Sequence, residues 1–167
     1  MHPVHERLKI GDDTDCQTGD EGWSIVHACK HPCHRDAVGY TNAPPTFHPH
    51  YLSKQEDNDL YLNMIDPEKP LFQMEMFEDF FSFAVPRWKD GSDQLLIHCN
   101  QGRSRSPSLA LLLLASHSEV VPDGSFFSAR EQFEELYPTY RPSRGIELFL
   151  QNNWDELLRL STTQGGL

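Results

Sequence analysis

His98-Cys99-Asn100-Gln101-Gly102-Arg103-Ser104-Arg105-Ser106-Pro107-Ser108 is the stretch that decides the fold. It follows Gln94-Leu95-Leu96-Ile97, a short apolar run that reads as a strand, and it leads into residues 106–118, a Leu-rich run that reads as a buried helix. A tight loop between strand and helix turns its backbone N–H groups toward a common centre, and the helix N-terminus adds partial positive charge. That is an anion cradle. Gly102 permits a backbone conformation that a Cβ would hinder, and Arg105 supplies a planar fork that matches two phosphoryl oxygens. Cys99 sits at the base, where convergent donors and Arg105 favour thiolate over thiol. A thiolate inside an anion site is equipped for nucleophilic phosphoryl transfer.

Outward from this loop, strands and helices alternate. Residues 4–10 read as a short edge strand, residues 23–29 as a buried strand, and Leu60-Tyr61-Leu62-Asn63-Met64-Ile65 as another, ended by Asp66-Pro67. Phe72, Met76, Phe80 and Phe83 recur at helical spacing over residues 72–85, with Pro86 expected to limit that helix. Residues 125–137 and 143–160 complete a helical cluster, residues 33–59 form a long polar surface excursion, and residues 161–167 read as a disordered tail. With 167 residues the chain is expected to be a single α/β domain, a central mostly parallel sheet flanked by helices.

The spacing His98-Cys99, five residues, Arg105-Ser106 resembles the signature loop of the cysteine-dependent protein tyrosine phosphatases. Ser104-Arg105-Ser106-Pro107 and the Leu-rich helix behind it resemble the dual-specificity branch, and small phosphatases of phages and bacteria look most similar. Leu8-Lys9-Ile10-Gly11 is similar to that branch's opening strand, and Tyr140-Arg141-Pro142-Ser143 leads into a last helix as the branch's does. Asp66, 33 residues before Cys99, falls near the family's general acid.

The resemblance implies roles that agree with the chemistry. Cys99 attacks phosphorus and forms a cysteinyl-phosphate; Asp66 protonates the leaving group and then accepts a proton from water; Ser106 assists the thiolate in leaving. Asn100, Gln101, Gly102, Arg103, Ser104 and Arg105 hold the phosphoryl oxygens, and His98 supports Cys99 from behind without transferring a proton. The implied substrate is a phosphorylated protein, carrying phosphotyrosine and also phosphoserine or phosphothreonine. The alternatives are a non-protein phosphate ester such as a lipid head group, nucleotide or RNA 5′ end, or a phospho-ligand binding module without turnover. No cofactor and no metal is expected.

Charge narrows the remaining classes. Fourteen Lys and Arg against 25 Asp and Glu give a net charge of −11, which disfavours nucleic acid and anionic membranes as partners. Four cysteines and a first segment, Met1-His2-Pro3-Val4-His5-Glu6, unlike a signal peptide fit a reducing cytoplasm, and a monomer is expected. His27, Cys29, His31, Cys33 and His34 form a second cluster with some metal-ligand character, read here as structural or site-flanking. Arg103 reads as a solvated rim cation, although phosphoinositide phosphatases of the superfamily carry Lys at the matching place.

Overall fold

In the computed structural model, which describes residues 1–16 and 21–164, six strands form one sheet in the order β1-β2-β6-β3-β5-β4. These are β1 (His2–His5), β2 (Leu8–Gly11), β3 (Trp23–His27), β4 (Ser53–Glu56), β5 (Asp59–Leu62) and β6 (Gln94–His98). The four inner strands run parallel, with Ile10 opposite Ile97, Val26 opposite Ile97 and Val26 opposite Leu60. Antiparallel hairpins close both edges, β1 on β2 and β4 on β5.

Because side chains alternate along a strand, β6 serves two interiors at once. Leu95, Ile97 and, just beyond the strand, Cys99 join the large apolar core under the helices. His98 is buried on the opposite face, where it meets Cys33 of the irregular turn Lys30–His34. The helices are α1 (Arg35–Val38), α2 (Met74–Asp90), α3 (Arg105–His117), α4 (Phe126–Leu136) and α5 (Arg144–Thr163). Helix α3 lies on β2 and β6, and α2 and α5 pack beside it. Leu109 to Leu114 of α3 are each at most 1 % exposed, which explains an apolar run with no polar face. Truncating one such leucine to alanine removes about 2–5 kcal/mol. Phe77 of α2 stacks on Phe149 of α5 with centroids 4.9 Å apart.

The mostly parallel sheet agrees with the sequence, and several boundaries do not. Residues 4–10 are two strands of a hairpin rather than one edge strand. Helix α2 runs through Pro86 to Asp90. Proline there costs one hydrogen bond to the carbonyl four residues back, that of Ser82; both residues are exposed, so the loss does not fall in the apolar core. The excursion over residues 33–59 carries α1 and edge strand β4, whose polar Ser-Lys-Gln-Glu sequence has no strand signature because one side of it is open. Residues 161–163 belong to α5, with Ser161 fully buried, rather than to a tail; residues 165–167 lie outside those described.

Candidate active site

Cys99 leaves the end of β6, and Arg105 opens α3, so the intervening loop is pinned at both ends by the most buried elements of the fold. The loop curls around the sulfur. Gly102 N–H donates to Cys99 Sγ at 3.2 Å, and Ser106 Oγ lies 3.1 Å away on the other side. The Ser106 hydroxyl also reaches the Gly11 carbonyl at 3.4 Å, so its one proton turns to sulfur when sulfur carries the charge and to Gly11 when Cys99 is a thiol.

Gly102 is required twice. Its φ is +66°, and a Cβ there would lie 3.1 Å from the Gly11 carbonyl oxygen and 3.3 Å from Tyr137 Oη. Tyr137 donates to the Gly102 carbonyl at 2.6 Å, and burial raises its phenol above the ordinary range, keeping it a donor. Arg141 N–H donates to the Arg103 carbonyl at 2.7 Å, which ties the outer edge of the loop to the segment before α5.

Arg105 is held in a fixed pose. Nη1 donates to the Met64 carbonyl at 2.8 Å and Nη2 to Asn100 Oδ1 at 2.7 Å, while Nε is buried with no partner among the described residues. Asn100 is anchored in turn, its Nδ2 donating to the His31 carbonyl at 2.9 Å. Asp66 lies in the irregular segment between β5 and α2, and Ser104 Oγ donates to its Oδ1 at 3.0 Å while accepting from Ser143 N–H at 2.9 Å. One hydroxyl thus connects the loop, the carboxylate and the start of α5.

A cavity of about 530 Å³ is lined by Asp66, Cys99, Asn100, Gln101, Arg103, Ser104, Arg105, Arg141 and Ser143. The structure therefore brings Asp66 and the Cys99 loop to one hollow. Arg141 and Ser143 are its members that sequence reading did not assign; the only signal was a basic residue between Tyr140 and Pro142 at the mouth of a helix. Ser106 and Gly102 lie beneath the floor, touching sulfur rather than lining the cavity.

His98 stands behind Cys99 and pairs with a second buried histidine. Its Nε2 is 2.7 Å from His27 Nδ1, and His27 Nε2 donates to Asp59 Oδ1 at 2.8 Å. This buried chain also accounts for Asp59, which opens β5, whereas Asp57 occupies the β4–β5 turn at φ +49°. The second cluster divides. Cys33 reaches His98 and, at 3.3 Å, the sulfur of Cys16, while His34 turns away to Tyr40 Oη and the His50 carbonyl. His48 lines a separate hollow with Asp79. All four cysteines are free. Among the described residues no helix is long and apolar enough to cross a membrane.

No protein-family model matches the chain, and no curated protein matches its sequence. Solved structures do. The chain aligns with DUSP15 at a TM-score of 0.67, with 16 % identity over 99 % of this chain and 94 % of that one. It aligns with human tyrosine phosphatase-like serine/threonine/tyrosine-interacting protein at 0.65, with 18 % identity over 95 % and 97 %. A leucine-rich repeat and phosphatase domain containing protein from Entamoeba histolytica gives 0.64, with 14 % identity over 95 % and 93 %. By its likeness to these structures along nearly its whole length, this chain has the fold of the dual-specificity phosphatases.

Proposed function

We propose that the chain is a cysteine-dependent phosphatase that hydrolyses phosphotyrosine, and phosphoserine or phosphothreonine through the same cradle, by way of a cysteinyl-phosphate. The observation that carries this reading is the position of Cys99 at the base of a cavity that also holds Arg105 and Asp66. The sulfur attacks phosphorus in line, a P–S bond forms and the ester P–O bond breaks. Arg105 and the loop amides take the charge of the equatorial oxygens, work that depends on position more than on covalent chemistry. Asp66 donates its proton to the departing oxygen and, as carboxylate, takes one from the water that hydrolyses the intermediate. The Ser106 hydroxyl, 3.1 Å from Sγ, stabilises the thiolate as it leaves.

Among the described residues no aromatic side chain lines the cavity, so none of them selects a phenyl ring over an alkyl chain, which favours dual specificity over phosphotyrosine alone. Arg103 and Arg141 at the rim favour acidic sequence around the phosphorylated residue. The free cysteines suit a reducing compartment, and we assign the protein to the cytoplasm.

The test is hydrolysis of p-nitrophenyl phosphate and of phosphopeptides by the parent and by Cys99→Ser. The parent turns over and is inhibited by vanadate; the variant folds, binds vanadate and loses at least a thousandfold in rate. A folded parent that binds phosphate analogues without turnover would instead identify a phospho-ligand binding module, and a variant within tenfold of the parent would exclude the cysteinyl-phosphate.

A further inference from the structure

Behind the catalytic loop, on the sheet face away from α2, α3 and α5, four potential metal-binding side chains from four separate segments converge. They are Cys16 from the loop after β2, His27 from β3, Cys33 from the turn after β3, and His98 from β6, with one donor atom of each within 4.8 Å of every other. His27, Cys33 and His98 are buried and Cys16 is partly so. We propose that Cys16, His27, Cys33 and His98 form a structural zinc site that clamps the residue preceding the nucleophile.

The distances fit one ion at the centre. Zinc with Zn–S near 2.3 Å and Zn–N near 2.0 Å in a tetrahedron places two sulfurs about 3.8 Å apart, two nitrogens about 3.3 Å apart and mixed pairs about 3.5 Å apart. Here the sulfurs of Cys16 and Cys33 are 3.3 Å apart, Cys16 Sγ is 3.5 Å from His27 Nδ1, Cys33 Sγ is 3.9 Å from His98 Nε2, and the two nitrogens are 2.7 Å apart. Shifts of about 1 Å or less, outward for the close sulfur and nitrogen pairs and inward between Cys33 and His98, accommodate the ion. Two thiolates and two imidazoles in a tetrahedron select zinc over the harder divalent cations.

A second observation points the same way. His27 Nε2 lies 2.8 Å from the buried carboxylate of Asp59, which fixes the proton on Nε2 and leaves the Nδ1 lone pair directed at Cys16 and His98. Carboxylates hold metal-ligating histidines in this way. Tyr61 stacks flat on the His27 ring, centroids 4.4 Å apart, and prevents it from turning. A surface hollow of about 300 Å³ lined by Cys16, Pro32, Cys33, Asp36, Ala37 and Tyr61 gives an ion a route in.

Binding balances without a further reactant. Zn²⁺ displaces one proton from each thiol, the two protons pass to solvent, and the resulting unit is neutral, as a buried group should be. The site takes no part in phosphoryl transfer and does not depend on the phosphatase reading; Cys99 is not among its donors.

The experiment uses the full chain, stripped of metal under reducing conditions and titrated with Co²⁺ and then Zn²⁺, with optical absorption, metal analysis and thermal unfolding as readouts. The expected result is one equivalent of Co²⁺ with thiolate charge-transfer bands and the intense visible bands of a tetrahedral ion, displacement of both by Zn²⁺, and a higher Tm with zinc. Cys16→Ser and Cys33→Ser should abolish the bands. Asp59→Asn should weaken binding by about 10–100-fold with the bands retained. Cys29→Ser and Cys99→Ser should bind as the parent does. Circular dichroism establishes that each variant is folded. Failure of the folded parent to take up a stoichiometric ion, an ion without thiolate bands, or bands that survive in folded Cys16→Ser would each overturn the proposal, as would loss of binding in folded Cys29→Ser or Cys99→Ser.

Discussion

Asp66 shows how much one side chain's assignment depends on its surroundings. Its spacing from Cys99 matches the general acid of the resembled family, while its place before Pro67 also fits a turn residue, a common local use of aspartate. In the fold it faces the cavity that Cys99 floors, with its Oδ1 receiving the Ser104 hydroxyl. A general acid matters in proportion to the basicity of the leaving group, since a stable phenolate departs unaided and an alkoxide does not. Asp66→Asn is therefore expected to slow phosphoserine hydrolysis most, phosphotyrosine less, and an aryl phosphate with a strongly acidic phenol least, over a range of about 10²–10⁴. Steady-state rates across a leaving-group series check this, and equal losses on every substrate would return Asp66 to the role of a turn residue. The meeting of Cys99, Gly102, Arg105 and Ser106 in one loop was legible from residue types and spacing, because all four lie within eight residues between one strand and one helix. It missed Cys16 as the neighbour of Cys33, because those two meet only through the sheet and no short-range spacing links them.

Among elements, the start of α5 matters more to the site than its distance in sequence implies. Gly145 N–H donates to the Pro67 carbonyl at 3.2 Å, and the helix approaches so closely that a Cβ at 145 would lie 2.2 Å from the Pro67 oxygen and 2.3 Å from the Lys69 oxygen. Backbone atoms cannot yield as a flexible side chain does. Gly145→Ala is expected to push the segment after Asp66 outward, lowering activity about 10–100-fold and stability by about 1–3 kcal/mol. Kinetics with p-nitrophenyl phosphate and urea unfolding measure the two, and an unchanged variant would mean that the segment moves freely. The existence of α2 was legible from the spacing of Met76, Phe80 and Phe83, because periodicity records which face is buried. The ends were harder to read. Pro86 and the polar β4 obey solvent exposure, which the chain reveals only once folded.

For the molecule as a whole, stability should respond to acid through a histidine far from the cavity. Burial, with a smaller contribution from Lys89, lowers the pKa of His117 at the end of α3, and its Nε2 is buried without a partner among the described residues. The unfolded chain therefore binds this proton more readily than the folded one. The contribution is fully present above about pH 6.5, the ordinary histidine value, and is lost as pH falls through the lower folded value. His117→Gln should flatten the fall of the urea midpoint between pH 7.5 and 5, and a parallel curve for parent and variant would remove His117 as the cause. The placement of β6 between β2 and β3 has a consequence of another kind. A ribosome releases β2 and β3 long before β6, so the nascent chain must carry two parallel-pairing edges that have no neighbour until Gln94 to His98 emerge. Cys99 follows one residue later. Synthesis thus delivers Cys99 only as the sheet that will enclose it becomes able to close, and a chain interrupted before that strand would expose both edges to aggregation while lacking the loop altogether.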